Sequence, residues 1–246
     1  MSITFPEEFE GLRAAGRVVR RMIEAMKRHV RPGITTAELD EIGARVMRQH
    51  GARSAPKLVY GFPGTSCISV NDEAVHGIPS RRLLRDGDLV KLDVTARLDG
   101  YIADAAVTVP VGEVAAEHQA LCEAAEAAFR KAMPMVRPGQ RVADVGRVID
   151  AEVRGRGFAV VREVAGHGVG RTIHEPPDVL NYFNPHQRDR FEDGQVVAIE
   201  PIITLSQTRL VEDADGWTLR TKNGVFAAHY EHTVLVTAAG PQLLTV

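Results

Sequence analysis

The chain has 246 residues, 44% of them hydrophobic and 25% charged, the balance of an ordinary soluble globular protein with length enough for a substantial core. A formal net charge of -2 gives no electrostatic footing for nucleic acid or an anionic membrane, and the Arg81, Arg82 and Arg85 cluster reads as solvated surface. Two cysteines, Cys67 and Cys122, make no disulfide framework, no apolar run is long enough to span a membrane, and the acidic N-terminal stretch lacks a signal-peptide core, so the expectation is a cytoplasmic protein.

Residues 7–29 carry Leu12, Val19, Ile23 and Met26 at helical spacing, with Arg and Glu between them, and predict an amphipathic helix. Val30-Arg31-Pro32-Gly33 breaks it. Thr35-Thr36-Ala37-Glu38 has the pattern of a capping box and opens a second helix, running to about His50 and ending at Gly51. A Gly- and Pro-rich loop follows, from Tyr60 to Gly64. Next come a short strand over 66–71 and a loop over 72–79 that carries His76.

The stretch from Leu89 to Val109 places two strand-like runs on either side of Asp99-Gly100, the signal of a type I′ hairpin. With those two as turn residues, Leu98 faces Tyr101, Thr95 faces Asp104 and Asp93 faces Ala106. Side chains alternate across a strand, so Asp93 and Asp104 project from one face as diagonal neighbours, about 7–8 Å apart. Residues 114–133, rich in Ala, Glu and Leu, predict a third helix.

At Val136-Arg137-Pro138-Gly139 the chain repeats its earlier Val30-Arg31-Pro32-Gly33. The register holds downstream: Ala37 with Ala143, Glu38 with Asp144, Ile42 with Val148, Arg48 with Arg154, Gly51 with Gly157. This predicts one domain built from two similar halves, roughly 1–113 and 114–246, as a pseudo-symmetric α+β fold with one shared sheet. The second half should then also present two carboxylates. Its strand signals, over 195–204 and 225–236, hold Glu200 and Glu231 among apolar neighbours.

Four acids packed together without a counter-charge would repel one another, and most would take up protons. The residues near the first pair are small and neutral, so a divalent metal is the better partner. His167 lies in Gly166-His167-Gly168-Val169-Gly170, a loop after a strand signal over 158–164. No Gly-Lys-Ser/Thr follows to make a phosphate cradle. Four carboxylates and an imidazole form a hard, oxygen-rich donor set that suits two ions of the Mn, Fe, Co or Zn type over a Cys-bound structural zinc. His174, seven residues beyond His167, falls at the rim of the same site, and His76 is the other loop histidine of interest. His186, His229 and His232 read as structural or surface residues.

These residues stand in recognisable runs: Val75-His76-Gly77-Ile78-Pro79, Leu92-Asp93-Val94, Asp99-Gly100 through Asp104, Gly166 through Arg171, His174-Glu175, Ile199-Glu200-Pro201, Asp215-Gly216-Trp217-Thr218 and Tyr230-Glu231-His232-Thr233. Over nearly its whole length the sequence resembles the type I methionine aminopeptidases, of the creatinase-like pita-bread fold. The resemblance implies a curved antiparallel sheet with helices on its outer face and a dinuclear metal centre. Asp93 would chelate one ion, Asp104 and Glu231 would bridge both, and His167 and Glu200 would hold the other. Water activated there would attack the scissile carbonyl. Glu200 would also act as base or proton shuttle, His174 would hydrogen-bond the carbonyl oxygen, and His76 would contact the scissile nitrogen. Phe62, Cys67, Ile173 and Trp217 match the methionine pocket. The implied partner is the N-terminus of a peptide or nascent polypeptide, met by a monomer with transient ribosome contact.

The chain departs from the family pattern at Pro56 and Val59, where bacterial relatives often have Cys and Tyr, at Ile173 in place of a frequent Phe, and at Ala105 and Ala106 after Asp104. These changes bear on pocket shape and leave the ligand set intact. Two alternatives stand beside the leading reading. An Xaa-Pro aminopeptidase or dipeptidase shares the centre but carries it behind a separate N-terminal domain. A non-catalytic binding homologue would have lost ligands. The type II methionine enzymes carry an extra helical subdomain, for which the interval from His174 to Glu200 is too short.

Overall fold

The computed structural model describes residues 1–246 and begins with two amphipathic helices, α1 (Pro6–Lys27) and α2 (Thr36–Gln49). Thr35 caps α2 reciprocally with Glu38: the Thr35 hydroxyl accepts from the Glu38 N–H at 3.1 Å, and the Glu38 carboxylate accepts from the Thr35 N–H at 2.8 Å. There follow β1 (Arg53–Ser54), the short helix α3 (Ala55–Tyr60), β2 (Cys67–Val70), β3 (Glu73–Val75), β4 (Leu89–Leu98) and β5 (Tyr101–Pro110). The second half runs through α4 (Ala116–Ala132), α5 (Val142–Gly155), β6 (Ala159–Val160), β7 (Gly166–Gly168), β8 (Glu175–Val179), β9 (Val196–Ile199), β10 (Ile202–Thr204), β11 (Leu210–Glu212), β12 (Leu219–Thr221), β13 (Ala227–Leu235) and β14 (Gln242–Leu243).

The β4–β5 hairpin has the register read from the sequence: Leu98 pairs Tyr101, Thr95 pairs Asp104 and Asp93 pairs Ala106. Both turn residues have positive φ, +49° at Asp99 and +85° at Gly100, as a type I′ turn requires. This hairpin forms one side of an antiparallel sheet ordered β1-β4-β5-β13-β9-β7-β8, with β2 attached to β4, and β10 and β14 attached to β13. A second, three-stranded sheet is ordered β11-β12-β3.

Strand alternation divides the large sheet into an apolar and a polar face. Val90, Leu92, Val94 and Ala96 of β4 pack with Ala103 and Ala105 of β5 against Val19, Met22 and Met26 of α1 and Leu39 of α2. Val197, Ile199, Ala228 and Val234 of β9 and β13 pack against Ala124, Ala128 and Phe129 of α4 and Ile149 of α5. Each large apolar side chain buried this way contributes about 1.5–3 kcal/mol. With these Val, Leu, Ile and Ala side chains committed to the helices, Asp93, Asp104 and Glu231 are left on the opposite face.

Two of the strand expectations change in the structure. The strand expected over 158–164 is only Ala159–Val160, and the Gly-rich segment around His167, expected as a loop, is β7, held between β8 and β9. Its glycines serve close strand approach: a Cβ on Gly166 would lie 2.4 Å from the Ala198 carbonyl oxygen, and one on Gly168 would lie 2.5 Å from that of Pro176. The run over 195–204 is likewise broken into β9 and β10 at Glu200-Pro201, where proline has no N–H to continue the ladder. Helix α3 and the three-stranded sheet carry no period long enough to have been read in advance.

Candidate metal centre and substrate cavity

Five side chains converge on the polar face of the sheet. β4 supplies Asp93, β5 Asp104, β7 His167, the end of β9 Glu200, and β13 Glu231, and all five line one cavity of about 200 Å³. Donor atoms of Asp104, His167 and Glu231 lie within 4.8 Å of one another. Nε2 of His167 is 3.7 Å from Glu200 Oε1. Asp104, His167, Glu200 and Glu231 expose between 2% and 9% of their surface, so their charges are withdrawn from water.

Local structure explains the placement. Asp104 is fixed by Thr233 of β13, whose hydroxyl accepts from the Asp104 N–H and donates to the Asp104 carbonyl, both at 2.8 Å. Glu200 leaves the sheet just before Pro201, and its carbonyl accepts from Asn181 Nδ2 at 2.9 Å. The His167 ring faces the cavity while its Nδ1 lies 2.9 Å from the Gly168 carbonyl oxygen, which leaves Nε2 free to bind.

The electrostatics test whether this set suits a cation. Burial, with repulsion from the neighbouring carboxylates, pushes Asp104, Glu200 and Glu231 well above the ordinary carboxyl range. Burial raises Asp93 to about 7, opposed by the Cys67 thiol beside it. Burial lowers His167 to about 4, so its imidazole is neutral. No lysine or arginine forms an ion pair with any of the four acids, and Asp104 Oδ1 is buried without a hydrogen-bond partner. An uncompensated cluster of oxygen donors with one neutral imidazole fits divalent metal.

His76 and His174 stand at the mouth of the same cavity. His76 has φ +59°, a left-handed conformation uncommon for a residue with a side chain. The adjoining Gly77 holds it there, donating to Ser69 Oγ at 2.9 Å and accepting from the Ile68 N–H at 2.9 Å. Burial lowers the pKa of both histidines, and for His76 the nearby His174 ring adds to the effect. The rings of His174 and His167 meet edge to face at 4.2 Å. The turn that carries His174 is anchored by Glu175, whose Oε1 accepts from the N–H groups of Arg171 and Thr172 and whose Oε2 pairs with the Met1 amino group.

Phe62, Cys67, Ile173 and Trp217 form the apolar side, with Pro56 and Val75. Trp217 meets the Phe62 ring edge-on at 5.2 Å. Asp215 positions it, accepting at 2.8 Å from the N–H groups of both Trp217 and Thr218. Burial and the surrounding carboxylates push the Cys67 thiol well above its usual value, which makes it a wall and removes it as a nucleophile.

Tyr60 and His229 are among the cavity residues that were not anticipated. Tyr60 lines the cavity and its hydroxyl meets His174, whereas Val59 stands outside at 52% exposed. His229, expected as structural or surface, is buried at 2% exposure and also lines the cavity, because it lies two residues from Glu231 on the same face of β13. His186 is exposed, and His232 lies on the α4 side of the sheet, its ring tilted against that of Phe129.

The chain belongs to metallopeptidase family M24, whose family model matches residues 10–238. It is 42% identical over 247 residues to methionine aminopeptidase 2 of Bacillus subtilis, covering 100% of this chain and 99% of that protein. The crystal structure of methionine aminopeptidase from Thermotoga maritima superposes with a TM-score of 0.96 at 36% identity, covering 100% of this chain and 99% of that one. Prolidase from Pyrococcus furiosus shares the fold, with a TM-score of 0.81 at 22% identity, and this chain covers 65% of it. The architecture is thus the α+β pita-bread fold, and the chain is a metal-dependent peptidase.

Proposed function

We propose that this chain is a methionine aminopeptidase that removes the initiator methionine from newly made polypeptides. The observation that carries the proposal is the cluster of uncompensated carboxylates with His167 at the floor of a cavity whose other wall is apolar. Asp93, Asp104, His167, Glu200 and Glu231 would hold two divalent ions of the Mn, Fe, Co or Zn type. Bound there, the ions would make water acidic enough to lose a proton near neutral pH and would polarise the scissile carbonyl.

The protein's own groups carry the rest. Glu200 accepts the proton of the attacking water at its carboxylate and delivers it toward the departing amine. His174 donates from Nε2 to the carbonyl oxygen as negative charge develops on it. His76 faces the leaving nitrogen. Phe62, Cys67, Ile173 and Trp217 receive the methionine side chain, and the substrate's free α-amino group would sit against the metal centre, which makes the enzyme an exopeptidase. Pro56 and Ile173 shape the pocket's far wall. In this proposal the enzyme is a single-domain cytoplasmic monomer with transient ribosome contact, and no helix is long and apolar enough to cross a membrane.

Amino-acid release from Met-Ala-Ser and Ala-Pro-Ser by the metal-loaded protein tests the proposal. Methionine from the first peptide alone is expected. Cleavage of Ala-Pro in the second contradicts it in favour of a proline-directed peptidase.

A further inference from the structure

His229 takes no part in the chemistry above, yet it stands against the acids that do. It lies two residues before Glu231 on β13, so both side chains leave the same face of the strand. Its backbone is pinned by Thr108 of β5: the His229 N–H donates to Thr108 Oγ1 at 2.7 Å, and the same hydroxyl donates to the His229 carbonyl at 2.9 Å. The ring is 2% exposed, and neither nitrogen has a hydrogen-bond partner at normal distance. Nε2 points between two carboxylates, 3.5 Å from Glu231 Oε2 and 3.6 Å from Glu200 Oε2.

The other acids of the cluster have their own neutral donors beside them, the Cys67 thiol for Asp93 and the Thr95 hydroxyl for Asp104. The side-chain carboxylates of Glu200 and Glu231 receive no hydrogen bond; His229 is the group aimed at both. Metal binding takes the carboxylates in their ionised form, whose oxygens only accept, so in the metal-bound protein the nitrogen that faces them must carry its proton. These two acids also come from different strands, one from the interrupted end of β9 and one from the middle of β13, and nothing else in the protein ties their side chains together.

We propose that His229 is a positioning residue of the metal centre, whose Nε2–H bridges Glu200 Oε2 and Glu231 Oε2 and sets the separation and orientation of these two ligands. The inference rests on the cluster being a metal centre. Groups that orient metal ligands without touching the ion alter metal affinity or activity by about 10–100-fold when removed. His229 would act through the two carboxylates and would not itself be a ligand.

The test is calorimetric titration of the metal-stripped protein with Co²⁺, followed in parallel by visible absorption, for the parent, His229→Leu and His229→Gln. The leucine variant removes the donor, and the glutamine variant restores an N–H at similar reach. Co²⁺ affinity is expected to fall by about 10–100-fold in His229→Leu, with unchanged stoichiometry and a perturbed absorption band. In His229→Gln it should return to within about threefold of the parent. Parental affinity in the leucine variant overturns the inference, as does equal loss in both variants. Loss of one whole equivalent of metal also overturns it, by making His229 a ligand. Failure of the parent itself to bind Co²⁺ refutes the metal-centre reading instead. Nitrogen NMR of the imidazole in the Zn²⁺-loaded parent needs no variant to fold: a proton on Nε2 of His229 is expected, and a proton on Nδ1 alone contradicts the proposal.

Discussion

The Tyr60 hydroxyl lies 2.6 Å from Nδ1 of His174, across the mouth of the cavity. Partial burial raises the Tyr60 pKa and lowers that of His174, so a protonated phenol meets a neutral imidazole. The phenol then donates to Nδ1, and the ring proton is held on Nε2, the nitrogen left to face a substrate carbonyl. Tyr60→Phe should lower kcat about tenfold with KM little changed, the loss expected for one hydrogen bond that orients a catalytic group. His174→Ala sets the ceiling, about 10²–10³ in kcat for loss of a donor to the developing oxyanion. Steady-state kinetics on Met-Ala-Ser checks both, and an effect confined to KM contradicts the assignment of His174.

Glu200 is both a ligand and a base in this account, so Glu200→Ala should abolish turnover. The same change relieves repulsion among buried acids that raise one another's pKa. The metal-free variant should therefore unfold, by calorimetry in chelator, no earlier than the metal-free parent. Near-normal turnover would sink the role of Glu200.

Metal binding should release protons. Burial and mutual repulsion make Asp104, Glu200 and Glu231 hold protons more tightly than ordinary carboxyls, and Asp93, near 7, is partly protonated at pH 7 in the metal-free protein. Ions bind the deprotonated acids, so each ion that enters displaces protons and apparent affinity rises as pH rises from 6 to 8. His167, lowered to about 4, is already neutral across that range and contributes nothing to the release. Calorimetry in buffers of different ionisation enthalpy counts the protons. Zero release at pH 7, or affinity that falls with rising pH, contradicts the electrostatic account of the site.

Trp217 and Phe62 meet edge-on in the apolar wall, which in the proposed reaction would touch the substrate side chain in the ground state and the transition state alike. Trp217→Ala should then raise KM for Met-Ala-Ser about tenfold and leave kcat nearly unchanged. A fall in kcat with KM unchanged would place Trp217 in the chemistry and remove it from the pocket.

Much of this site was legible before the structure because a few residues constrain many. Asp99-Gly100 fixes one turn type, that turn fixes the register of twenty residues in β4 and β5, and the register places Asp93 and Asp104 on one face. His167 was legible as a residue and not as an element: the glycines around it serve strand contact at Ala198 and Pro176, which a local reading takes for loop flexibility. Tyr60 was not legible, since its partner His174 lies 114 residues away and only the folded chain brings them together. His229 could have been found. It sits two residues before Glu231 on a strand already read, and the alternation that placed the acid on the polar face places the histidine there as well.

The most direct test of the whole account is methionine release from Met-Ala-Ser by chelator-stripped protein, before and after Mn, Fe, Co or Zn is added back in turn. The account predicts no release from the stripped protein and restored release with at least one of these ions. Equal release by stripped and reloaded protein, or none with any ion despite bound metal, would contradict it.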